Sequence, residues 1–308
     1  MMLYKNTPSL VRSPDGDTSF FDITAGVLQG DTLAPFIFII CSDCVLRKAI
    51  DEKLDPGFTL IQRRSIRHLA NKISGADYAD DIALLTDYIK GAEATLHSVE
   101  NLAKNAASGI KSLNGETIDQ ENDFNYLGSF IASTEQDVNI RLGKAWAALN
   151  GMNNIWKSNL PDQLKRNFFR ATVESVLVYG SISWTLTSAL EKKIDCSYTR
   201  MLRAALNKSW TDHLSNAELY GNIPAVTATI RQQRLRFARH CWRSKNELSS
   251  DVLLWEPSHG KRSRGRPRKT YVDQLIADTA CTYEDLANLM DDRDRWKELI
   301  NESQASST

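Results

Sequence analysis

Apolar residues along this chain follow two rhythms, and the change from one to the other falls near residue 130. Before it, short apolar runs alternate with Gly and Asn-Gly turns, mixing strand and helix signals. Pro35 opens the run Phe36-Ile-Phe-Ile-Ile40, which continues through Val45-Leu-Arg-Lys-Ala-Ile50 and predicts one helix over about 34–50, since proline is tolerated in a first turn. In ISGADYADDIALLT (73–86) two short apolar flanks enclose an acidic centre, the pattern of strand, turn and strand. A helix is predicted over about 90–107, and Asn114-Gly115 between Ile110 and Ile118 signals a short hairpin.

From about residue 135 the period becomes helical throughout. Val138, Leu142, Ala145, Leu149, Met152 and Trp156 recur at spacings of four and three, as do Leu164, Phe168, Ala171, Ser175 and Val178; both sets predict packed helical faces. A further helix is expected after Pro224. A Gly/Pro/basic stretch, His259 to Lys269, then breaks the pattern before closing helices. The expected fold class is α+β, divided into an α+β region at 1–132, helical regions at 133–256 and 271–308, and a basic linker at 257–270 between them. No internal repeat of fixed period is present.

Composition adds little until it is read locally. With 42% hydrophobic and 25% charged residues the chain is an ordinary globular protein, and 38 basic against 38 acidic residues give no net charge. Residues 231–270, however, hold twelve Lys/Arg against three acids, a local excess of 12 − 3 = +9 that a polyanion would feel. The five cysteines, Cys41, Cys44, Cys196, Cys241 and Cys281, are odd in number and scattered, which implies reduced structural thiols. The longest apolar run, Leu33 to Cys41, is short of the roughly 20 residues of a membrane span. No signal-peptide pattern opens the chain. The expected setting is intracellular, nuclear or cytoplasmic, without a membrane partner; oligomeric state is not legible.

Candidate chemistry centres on Tyr78-Ala79-Asp80-Asp81, two adjacent carboxylates at a predicted hairpin tip. A hard divalent cation such as Mg²⁺ takes carboxylate and phosphate oxygens, and paired ions of this kind serve nucleotidyl transfer. Neighbouring strand side chains point to opposite faces, so one of the two is the expected direct ligand unless the turn redirects the other. This tetrad follows Gly26-Val-Leu-Gln-Gly-Asp-Thr-Leu-Ala-Pro-Phe-Ile-Phe38 by about fifty residues and precedes Tyr126-Leu-Gly128. The ordered set resembles the palm of reverse transcriptases, and its wording resembles that of non-LTR (LINE-type) retrotransposons. RLGKAWAALNGMNNIWKS (141–158), Val178-Tyr-Gly180, Tyr198-Thr-Arg-Met-Leu-Arg203 and HCWRS (240–244) are similar to the thumb and carboxy-terminal region of the same family.

The resemblance implies a partial palm followed by a helical thumb and an RNA-directed DNA polymerase ancestry. It implies Mg²⁺ as cofactor, with Asp80 and Asp81 as catalytic, metal-binding residues. By the same carry-over Gln29, Gly30 and Tyr78 contact nucleotide and template, and Tyr126, Leu127 and Gly128 support the primer. The family also carries an aspartate upstream of the Gln-Gly motif. Here Asp15, Asp17 and Asp22 precede that motif, and none lies in an apolar strand context; the passage from Ala103 to Asn114 is too short for the family's further strand and Lys-Thr motif, of which Lys111-Ser112 is a weak remnant, and an internal deletion accounts for it. The chain is therefore expected not to extend a primer alone.

The basic region points to nucleic acid independently. After Pro224, arginines 231, 234, 236, 239 and 243 share one predicted helix, and Arg236, Arg239 and Arg243 form a stripe suited to phosphates. Arg264, Arg266 and Arg268 lie in Lys261-Arg-Ser-Arg-Gly-Arg-Pro-Arg-Lys269, which resembles an AT-hook for the narrow minor groove of A·T-rich DNA; the same composition suits a basic linker or nuclear-localisation signal. Expected partners are an RNA template with a DNA primer, or duplex DNA. The alternative to a polymerase is a non-enzymatic nucleic-acid-binding remnant.

Overall fold

The structure is a computed structural model that describes residues 8–14, 16–22, 34–51, 57–61, 71–79, 81–106, 124–131, 133–245, 247–255 and 269–305. It is mostly helical with a few small antiparallel sheets, in agreement with an α+β class. The chain divides into two compact units, Met1–Asp119 and Gln120–Thr308.

In the first unit, two-residue strands β1 (Pro8–Ser9), β2 (Arg12–Ser13), β3 (Gly16–Asp17) and β4 (Phe21–Asp22) pair as β1 with β4 and β2 with β3. Helix α1 (Ala34–Asp51) follows, then β5 (Phe58–Ile61) paired with β6 (Asn71–Ile73). β7 (Gly75–Tyr78) and β8 (Asp81–Leu84) form the hairpin predicted over 73–86, and α2 (Ile89–Ala106) is the helix predicted from about 90. α1 and α2 pack together. The Asn114-Gly115 hairpin lies outside the described residues.

The second unit begins with a small hairpin, β9 (Asn125–Tyr126) and β10 (Ser129–Phe130), followed by α3 (Thr134–Gly151). Ser133 caps α3 by accepting from Gln136 N, and Glu135 and Asp137 in the first turn oppose the exposed N–H groups there. Val138, Leu142, Ala145 and Leu149 are buried as their spacing predicted, and Trp156 at the end of α4 (Asn153–Trp156) continues the face.

The second predicted stripe is corrected by the structure. Leu164, Phe168, Ala171 and Ser175 are exposed, whereas Lys165, Phe169, Val173 and Leu177 are buried. Between α5 (Asp162–Phe169) and α6 (Ser175–Leu177) the chain makes a π-helical turn, Arg170–Glu174. Its i to i+5 bonds widen the turn, so a face with spacings of four, four and four stays aligned where an α-helix would let it drift.

Helices α7 (Ser188–Ala205), α8 (Asn216–Tyr220) and α9 (Val226–Arg243) complete the first core, in which Phe169 meets Tyr198 edge-on at 5.2 Å between centroids. A second core gathers α10 (Leu248–Leu253), α11 (Tyr271–Thr279), α12 (Tyr283–Asp291) and α13 (Arg293–Ala305) against the far half of α9. α9 thus serves both: Val226 and Ile230 belong to the first core, Leu235, Ala238 and Cys241 to the second.

Candidate nucleic-acid interface

α9 carries its five arginines on two different faces, a division the spacing alone left open. Arg231 and Arg234 turn toward α11, where both meet the buried carboxylate of Asp278. Arg234 is itself 1% exposed and belongs to the interior, while Arg231 is partly exposed. Arg236 and Arg243 are exposed and Arg239 is half-buried. Among the described residues none of these three has an acid or other hydrogen-bond acceptor, and the buried Nε of Arg239 is without a partner. With His240, Trp296, Lys297 and Ile300 they line a shallow groove of about 160 Å³ where α9 meets α13. Trp296 is fully buried there, and its indole N–H donates to Leu235 O at 3.0 Å, fixing α13 against α9. Lys297 reaches Asp294 at 3.9 Å, a surface contact too exposed to neutralise it firmly. His240 and Lys297 were not singled out by sequence reasoning; Lys297 lies 54 residues from Arg243, and only the packing of α13 brings it near.

The Tyr126-Leu127-Gly128 turn is a tightly held feature of the same unit. Leu127 (φ 49°) and Gly128 (φ 80°) both occupy the left-handed region, the geometry of a two-residue hairpin turn. That conformation is natural for glycine and strained for leucine, and the surroundings hold it. Tyr179 donates its hydroxyl to Leu127 O at 2.8 Å, and Arg141 donates to Gly128 O at 2.6 Å while its guanidinium covers the Tyr179 ring at 4.3 Å. Asp137, 1% exposed, accepts from Phe130 N at 3.3 Å and from the Trp184 indole at 2.7 Å. The Tyr-Leu-Gly and Val-Tyr-Gly segments, 52 residues apart, are therefore one constellation. Both segments are legible in the sequence, but nothing in their spacing encodes the clamp.

In the first unit Tyr78 and Asp81 are direct cross-strand partners, both exposed, closing the hairpin tip with Ala79 at φ 55°. Asp80 lies outside the described residues, as do Gln29, Gly30, Arg264, Arg266 and Arg268. Asp77 is paired with Ile82 on the other pleat, and with Asp43 and Arg47 of α1 it lines a cavity of about 250 Å³. Asp81 thus sits on the opposite face from Asp77, as strand alternation requires. Among the described residues no three acids, histidines or cysteines gather as a metal-binding group. Cys41 and Cys44 are free and exposed on α1. No described helix is long and apolar enough to cross a membrane.

No protein-family model, curated protein or solved structure matches this chain.

Proposed function

We propose that this chain is a nucleic-acid-binding portion of a non-LTR-type reverse transcriptase, and that binding rather than catalysis is what it performs alone. The observation that carries the binding reading is the set Arg236, Arg239 and Arg243, three cations without acidic partners on a helix whose other two arginines both pair with Asp278. Guanidinium groups left unpaired at a surface groove suit phosphate oxygens, which they engage in bidentate fashion. Support for the polymerase ancestry comes from the ordered motifs Gln29-Gly30, Tyr78 to Asp81 and Tyr126 to Gly128.

Mg²⁺ belongs to this reading through Asp80 and Asp81. The donor chemistry is of the right kind, since Asp81 offers an exposed carboxylate and Asp80 is its neighbour in sequence. The nearest other strand acid, Asp77, is on the opposite pleat.

Two measurements test the proposal. Fluorescence anisotropy with a labelled oligonucleotide is expected to show binding that weakens with salt, and Arg236→Ala/Arg239→Ala/Arg243→Ala is expected to lower the salt slope by about 2–3. An unchanged slope sinks the binding reading. Primer extension on an RNA template with Mg²⁺ is expected to give no product; synthesis abolished by Asp80→Ala would replace the binding-only account with a working polymerase.

A further inference from the structure

The exposed side of α9 carries one large apolar group among its cations. Phe237 is 42% exposed, beside Arg236 in sequence and one helical turn before His240. At about 100° per residue, Arg243, Arg236, His240 and Phe237 follow one another around the helix in that order, within a third of its circumference. The two cores take Val226, Ile230, Leu235, Ala238 and Cys241 from the buried side, and Phe237 belongs to neither. A single exposed apolar residue is ordinary. An exposed aromatic at the edge of a row of unpaired guanidinium groups has the composition of a surface for unpaired nucleotides: cations follow the phosphates and the ring stacks on a base. Paired bases keep their faces inside the duplex stack and cannot use the ring without being flipped out.

We infer that the Arg236–Arg243 face of α9 binds single-stranded nucleic acid in preference to duplex, with a base stacked on Phe237. This deepens the proposed nucleic-acid contact and rests on it. The selectivity follows from the ring alone, because the arginines attract either form.

The test uses the full chain in a background carrying Arg264→Ala, Arg266→Ala and Arg268→Ala, so that the basic linker does not contribute. Anisotropy is read with labelled oligothymidine, oligouridine and an A·T duplex of equal length. Phe237→Leu is expected to weaken a single strand about tenfold, leaving duplex affinity and salt slope unchanged, and Phe237→Tyr is expected to restore the loss. Dependence on Phe237 with oligouridine alone assigns the strand to RNA, and with oligothymidine alone to DNA. Equal affinity for duplex and single strand, or a Phe237→Leu protein that binds as before while the triple arginine variant is weakened, overturns the inference and leaves the binding proposal standing. If the arginine variant is also unaffected, both fall.

Discussion

Two buried carboxylates show how differently the same group can be used in one helical unit. Asp137 is an acceptor held by a backbone N–H and an indole N–H, with Arg141 Nε 3.9 Å away and itself nearly buried. Asp137→Ala removes one partner and leaves a buried guanidinium less well satisfied, so a loss of about 3–5 kcal/mol is expected in urea unfolding. Glu174 is the contrasting case. Burial pushes its carboxyl above the usual carboxylate range, against smaller opposing effects of the Tyr198 hydroxyl at 2.6 Å and Arg170 at 3.6 Å. A carboxyl whose folded pKa is raised adds stability while it is protonated, and that contribution is lost as pH rises through the folded value. Glu174→Gln keeps an acceptor for Tyr198 and cannot ionise. The variant is therefore expected to be more stable than the parent near neutral pH, with the difference vanishing well below pH 4.5, the ordinary value for the group. Thermal melts of the pair across that range decide it; a difference that grows toward acid would show that Glu174 is held ionised in the folded protein.

At the scale of elements, the junction of the β9–β10 hairpin with the loop after α6 is a close contact. Gly180 adopts φ 73°, and a Cβ there would stand 2.3 Å from Ser129 Oγ. Gly180→Ala is expected to cost about 1–3 kcal/mol from the left-handed backbone together with the collision. Adding Ser129→Gly should return the steric part and not the backbone part, which a double-mutant cycle of melting free energies separates. This junction also marks where the sequence stopped being legible. The buried face from Val138 to Trp156 was readable because four-and-three spacing maps onto one side of a helix, and the helix at 34–51 because a proline opens a long apolar run. The same rule misled at 164–178, where Leu164, Phe168, Ala171, Ser175 and Val178 keep perfect helical rhythm yet lie mostly outside: the buried face starts at Lys165 and Phe169, and the π turn that follows carries it on to Val173 and Leu177. The arginine row was legible as a stripe at 236, 239 and 243. The commitment of Arg231 and Arg234 to Asp278 was not, because that pairing depends on how α11 packs some forty residues later.

For the whole molecule, the distribution of core decides which part stands alone. Both apolar cores belong to residues 120–308, joined by α9, which lends its first half to one and its second half to the other. Among the described residues of the first unit, only Ala49 and Leu60 are buried apolar side chains, while Phe36, Ile39 and Ile40 of α1 are each more than half exposed. The described sheets there are all two-stranded, and isolated two-stranded sheets are marginal in water. Exposed apolar surface of this kind also favours association between chains. Residues 120–308 expressed alone are accordingly expected to unfold in one cooperative transition, with circular dichroism and tryptophan fluorescence coincident. Residues 1–119 alone are expected to bind a hydrophobic dye and to show no cooperative transition. The basic groove on α9 lies wholly within the self-sufficient part, so the isolated 120–308 fragment should retain the arginine-dependent, salt-sensitive binding of the full chain. A fragment that folds cooperatively but has lost that binding would mean that the groove on α9 is not where nucleic acid is held.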